Sequence, residues 1–216
     1  MAGRSSRVQG SNVRFDAEEA VAHLRARDAK LDALIERVGV FRMKLDRVAT
    51  PFEALSESII YQQISGRAAE TIAGRFRDRV GDGRFPPPER VVAATDVVLR
   101  EAGLSRGKVA ALRDLAAKSL DGTLPSMARL RAMEDEAIVE RLTVVRGIGR
   151  WTAEMFLMFR LGRPDVLPVH DYGVRKGFQL AFGRREIPKP ESVARRGERW
   201  RPYRTVASWY LWRGLE

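Results

Sequence analysis

No cysteine occurs in this 216-residue sequence, and histidine appears only as His23 and His170. The first absence excludes disulfides, thiolate-bound zinc and iron–sulfur clusters, so any chemistry falls to carboxylates, hydroxyls, lysines or a single histidine. No stretch approaches the roughly 20 apolar residues of a membrane span, and the opening MAGRSSRVQGSNVR holds no apolar segment of the secretory kind. The expectation is a cytoplasmic protein with no membrane partner, nucleoid-associated if bacterial. Strand signals are scarce as well. Only FRMKLDRV, with Phe41, Met43 and Leu45, alternates in hydrophobicity, and no second run exists to pair with it.

Positive charge is abundant. Lys and Arg total 39 against 28 Asp and Glu, a formal net charge of +11, which makes a polyanion the first partner to consider. With 44% hydrophobic residues the chain can bury a substantial core. Residues 1–13 read as a basic flexible tail. Asp16 with Glu19 opens a helical run in which Leu31, Leu34, Ile35 and Val38 recur at helix spacing until Gly39. Thr50-Pro51-Phe52-Glu53 joins an N-cap, a proline at the first helical position and a glutamate able to reach back. Beyond the break at QQISG, where Ser65 can cap, helices alternate with turns to the C-terminus, and the fold class is all-α.

VRGIGRWTAEMF, residues 145–156, sets two glycines and a tryptophan before an apolar helix. A G-x-G turn there serves either to join two core helices or to let a phosphate approach helix N–H groups. Downstream, in LPVHDYGVRKGF, Asp171 stands before another helical run. Taken alone it is an ordinary N-cap or a placed carboxylate. Arginines 195, 196, 199, 201 and 204 surround Trp200 and Tyr203, which suggests either a solvated charged face or a basic rim for phosphates.

Together the glycine hairpin, the tryptophan after it, the LPVHDYGVRKGF aspartate, PFEALSESIIYQQISGRAA and RWRPYRTVASWYLW resemble the helix-hairpin-helix (HhH-GPD) DNA glycosylase superfamily, in its 3-methyladenine DNA glycosylase II branch. The resemblance runs from about Phe52 to Trp212. It implies a two-lobed helical domain over residues 14–216, with one lobe of about 14–51 plus 168–216, the other of about 52–167 containing the hairpin, and an active-site cleft between them. It implies a monomer that takes alkylated bases, of the 3-methyladenine and 7-methylguanine type, from double-stranded DNA and leaves an abasic site.

By matched motif, Asp171 is implied as the catalytic carboxylate, and Trp151, Met155, Trp212 and Tyr172 as the base pocket. Gly147, Ile148, Gly149, Arg150 and Thr152 are implied to meet the DNA backbone, and Gln62, Gln63, Ile64 and Ser65 to form the turn that fills the gap left by the extruded base. The backbone carbonyls of Thr143, Val145 and Gly147 match positions that hold a monovalent cation in relatives, so a structural Na+ or K+ is possible there, and no cofactor is required. Glycosylase/lyases of the superfamily carry a lysine where this chain has Trp151, which points to a monofunctional hydrolase. Met155 and His170 depart from residues found in a bacterial member. Two rival readings are a non-enzymatic module that binds damaged DNA and a glycosylase/lyase for oxidised bases.

Overall fold

The computed structural model describes residues 13–46 and 50–216, and among these there is no strand. The expected basic tail lies outside them except for Val13, as do Arg47 and Val48 of the alternating run. Phe41 and Met43 of that run are buried, but its described residues 41–46 are not a strand; the Asp46 N–H donates to the Phe159 carbonyl at 2.9 Å. No described helix is long and apolar enough to cross a membrane.

The chain forms two compact units, one taking in the chain up to Asp46 together with Leu157–Glu216, the other Arg47–Phe156. In the first unit, α1 (Ala17–Arg27) is capped by Asp16, which accepts the Glu18 and Glu19 N–H groups. The helical run expected to continue to Gly39 breaks at Asp28, whose side chain instead caps α2 (Ala29–Val38) through Lys30 and Leu31.

The second unit opens with α3 (Pro51–Tyr61), capped by Thr50 through the Glu53 N–H, and α4 (Gly66–Gly81), capped by Ser65 through that of Ala68. Two short helices, α5 (Pro88–Ala93) and α6 (Asp96–Glu101), precede α7 (Arg106–Leu120), which Ser105 caps. After α8 (Met127–Ala132), α9 (Asp135–Thr143) and α10 (Arg150–Phe156) flank the glycine hairpin. Leu55, Ile59, Phe76, Leu99, Leu112, Leu115, Ile138 and Leu142 fill this unit's core.

The chain re-enters the first unit with a π-helical turn, Leu157–Leu161. It continues into α11 (Tyr172–Ala181), α12 (Pro190–Gly197) and α13 (Arg204–Arg213). The core here is built from Leu24, Leu31, Phe178, Trp200, Val206, Tyr210 and Leu211. The polar joint of the unit is Asp28, 2% exposed, which accepts two hydrogen bonds of 2.7 Å from Arg196 and one of 3.0 Å from the Trp200 indole. A carboxylate so buried is tolerable only when paired and hydrogen-bonded.

Burial by itself pushes the Asp28 carboxyl up, but the Arg196 and Trp200 hydrogen bonds outweigh it and hold the group below the ordinary carboxylate range. A depressed folded-state value gives stability that is present above the unfolded value and is lost as pH falls through the folded one. The melting temperature should therefore drop on acidification below about pH 4. Asp28→Asn should cost about 2 to 3 kcal/mol at neutral pH and flatten that acid slope. Thermal melts of both proteins from pH 7 to pH 3 check this; parallel acid slopes would assign the acid sensitivity elsewhere.

Candidate active site

Asp171 is the N-cap of α11. Its Oδ1 accepts the Val174 N–H at 2.7 Å and the Trp212 indole N–H, also at 2.7 Å. Those two donors fix the carboxylate's orientation, one through the helix that the aspartate begins and the other from α13. Trp212 is itself positioned by Phe159 of the π-helical turn, whose ring stacks on it with centroids 6.0 Å apart and planes at 26°. Phe159 was absent from the sequence reading. It is half-buried, and nothing in the sequence pattern announces a stacking partner in α13.

Two glycines on one face of α11 make this arrangement possible. A Cβ at Gly177 would lie 2.0 Å from the Leu211 carbonyl oxygen, and one at Gly173 would lie 2.8 Å from Trp212 Cδ1 and 3.1 Å from Asp171 Oδ1. The spacing Gly-x-x-x-Gly in DYGVRKGF was the available signal for a close helix–helix approach. Gly173→Ala should displace the indole and lower any reaction that depends on the Asp171 carboxylate by about 10- to 100-fold, as a misplacement on the ångström scale can. Its melting temperature should move by only a few degrees, because the meeting atoms belong to side chains. Single-turnover rates and melts of the two proteins test this, and an unchanged rate would separate the indole from the site's function.

Tyr172 beside the carboxylate is 65% exposed, and His170 is exposed too. Aromatic area left in water on a folded surface is available to a ligand.

The second unit carries the hairpin. Gly147 has φ +81°, a conformation that an L-residue adopts only with strain, while a Cβ at Gly149 would meet nothing within 4 Å. The protein's own packing therefore does not require a glycine at position 149, and bare backbone is left beside the start of α10. Ile148 anchors the turn from inside: its side chain is buried and its N–H donates to the Val145 carbonyl at 3.0 Å. Thr152 is also buried, so contacts from these two residues to an outside anion fall to backbone groups. Arg150 is exposed and forms an ion pair with Glu136, which holds the guanidinium up and the carboxyl down in pKa. Trp151 is 48% exposed and Met155 half-buried.

The turn after α3 is tied to this hairpin. Gln62 donates its amide N–H to the Gly147 carbonyl at 3.0 Å, Gln63 sits at φ +58°, and Ile64 is exposed. Helix α7 supports both pieces. Lys108, its ammonium pKa lowered by burial, donates to the Ile60 carbonyl at 2.7 Å, and Asp114 accepts the Arg146 N–H at 2.7 Å. Burial raises the Asp114 carboxyl, but the bonds from Arg146 and Lys118 bring it below its ordinary value. Sequence reasoning missed Lys108 and Asp114; the one signal was the helix-pair spacing of Asp114 with Lys118.

The carbonyls of Thr143, Val145 and Gly147 are the hard oxygen donors an alkali cation takes, as backbone carbonyls do in potassium filters. Those of Val145 and Gly147 each already accept one N–H and keep a second lone pair.

Of the five arginines around Trp200 and Tyr203, three are committed to carboxylates. Trp200 is fully buried rather than ringed at the surface. Arg196 is bound to Asp28, Arg204 to Asp165 at 2.7 Å, and Arg201 to Asp165 and Glu198 at 2.8 and 2.9 Å. These three serve the fold, claimed by Asp28 and Asp165 from far off in sequence and, for Arg201, also by Glu198 three residues away.

Residues 57–202 match the family described as the HhH-GPD superfamily of base excision DNA repair proteins. The chain is 34% identical to DNA-3-methyladenine glycosylase 1 of Schizosaccharomyces pombe over 90% of its own length and 86% of that protein's. A solved structure of the 3-methyladenine DNA glycosylase from S. pombe, in complex with abasic DNA, superposes with a TM-score of 0.81 over 90% of this chain and 95% of that one, at 34% identity. The DNA-3-methyladenine glycosidase of Bacillus halodurans gives 0.80 at 36% identity, over 92% of this chain and 88% of that chain.

Proposed function

Since the chain belongs to the HhH-GPD superfamily of base excision DNA repair proteins and is a DNA glycosylase of the 3-methyladenine type, we propose that it is a monofunctional hydrolase of alkylated purines in duplex DNA. It works as a monomer, needs no redox cofactor and leaves an abasic site. The observation that carries this reading is the Asp171 carboxylate, held by Val174 and Trp212.

Cleavage of the N-glycosidic bond builds positive charge on the deoxyribose, and a fixed carboxylate in a water-poor site stabilises that charge and orients the attacking water. By the resemblance, Trp151 stands where the superfamily's glycosylase/lyases carry their Schiff-base lysine, and an indole N–H is a donor without a nucleophilic lone pair. By the sequence resemblance, Trp151, Met155, Trp212 and Tyr172 are the residues that take the base. The hairpin backbone at Gly147, Gly149 and Arg150 takes a phosphate. If a Na+ or K+ is held by the Thr143, Val145 and Gly147 carbonyls, it adds positive charge next to that phosphate. Gln62 holds the turn against the hairpin, which leaves Gln63 and Ile64 to fill the stack when the base leaves it.

A purine methylated on a ring nitrogen is cationic and departs neutral, so it needs little acid assistance, and tryptophan faces attract it by about 0.5 to 2 kcal/mol each. Single-turnover excision of 3-methyladenine and 7-methylguanine should exceed that of hypoxanthine, uracil and 8-oxoguanine by tenfold or more in the same duplex. Equal rates for uracil or 8-oxoguanine would overturn charge selection.

A further inference from the structure

Beyond the far end of α11 lies an open groove of about 680 Å3. Its lining includes Arg184, Arg185, Lys189, Arg195 and Arg199, and its one acidic residue is Glu186. Arg196 also reaches it, but its charge is matched by Asp28. Among the described residues the other five cations form no ion pair, in contrast to Arg196, Arg201 and Arg204 nearby.

The groove is shaped by fixed backbone. Gln179 donates to the Arg185 carbonyl at 2.9 Å and Arg175 to that of Pro188 at 2.8 Å, so α11 side chains pin the loop from beneath. The floor holds the Phe178–Phe182 stack, centroids 4.1 Å apart. Five like charges gathered in one pinned groove repel one another, and a polyanion relieves that repulsion. Four of the five are arginines, whose planar forks match phosphate geometry, and exposed apolar anchors of the kind a membrane-surface site uses are not prominent there.

Asp171 begins α11 and the groove follows its end, so the two are separated by roughly 15 Å of helix. We propose that this groove binds the phosphate backbone of a second duplex DNA segment, other than the one that carries the lesion. The choice of DNA as occupant rests on the glycosylase reading above. Two contacts on one molecule would let it pass between DNA segments without full release.

The test uses the full chain and its Arg184→Ser/Arg185→Ser/Lys189→Ser variant, each loaded on an immobilised undamaged duplex and offered a second, labelled duplex at low salt. The wild type should capture the second duplex and the variant should lose capture by about tenfold or more. The salt slope for binding long undamaged DNA should become shallower by about 2 to 3. Excision from a short lesion duplex should stay within twofold and the melting temperature unchanged. Undiminished capture by the variant, or no capture by the wild type, would overturn the proposal. So would capture of polyglutamate as readily as DNA, or a parallel loss of excision on the short duplex, which would assign the groove to the lesion-bearing DNA. Repeating the capture in an Asp171→Asn background keeps the result readable if the protein proves to excise nothing.

Discussion

Asp171→Asn should lower the single-turnover excision rate by roughly 10²- to 10³-fold, the scale on which one preorganised electrostatic group acts. The substitution removes the negative charge and keeps an oxygen able to accept from the Val174 N–H and the Trp212 indole. Asparagine is as good an N-cap as aspartate, so the melting temperature should shift little and affinity for lesion DNA should hold or rise. Asp171→Ala provides the contrast. It should lose the same catalysis and also about 1 kcal/mol of stability with the cap. Rate, melt and affinity measured on all three proteins separate the carboxylate's two tasks. Near-normal turnover by the asparagine variant would leave capping as its only one.

The second large effect is structural. Gly177→Ala places a methyl 2.0 Å from the Leu211 carbonyl oxygen and 2.6 Å from its carbon, both main-chain atoms of α13 that cannot turn aside. Helices α11 and α13 must separate, at a cost of about 3 kcal/mol or more. Because α11 begins at Asp171 and α13 carries Trp212, excision should fall along with stability. Gly74→Ala, in α4 with nothing within 4 Å of the added methyl, is the matched control and should stabilise by up to about 1 kcal/mol. Chemical denaturation of both variants checks the pair. A Gly177→Ala protein as stable as the wild type would mean that the two helices are not in fixed contact.

What could be read from the sequence was local chemistry. Thr50 and Ser65 cap helices as their spacing implies, because a cap is decided within three residues. Asp171 was found by its motif, and its cap is local too. The break between α1 and α2 escaped because Asp28 is held by Arg196, 168 residues away. The pairing of Arg196 and Arg204 escaped for the same reason: charge spacing does not reveal which carboxylate the fold will bring to each side chain. Gln62, read as one of several gap-filling residues, is turned to Gly147, 85 residues on, and no periodicity encodes that bond. The alternation of Phe41 and Met43 recorded burial of every second residue and was silent on hydrogen-bond partners.

The central claim is hydrolytic release of an alkylated purine with no covalent enzyme intermediate. It is tested most directly by incubating the protein with methylated duplex DNA in the presence of borohydride, identifying released bases by mass spectrometry and probing for protein–DNA crosslinks. The account predicts free 3-methyladenine and 7-methylguanine, intact abasic strands and no trapped complex. A borohydride-trapped crosslink, or the absence of any released base, would contradict it.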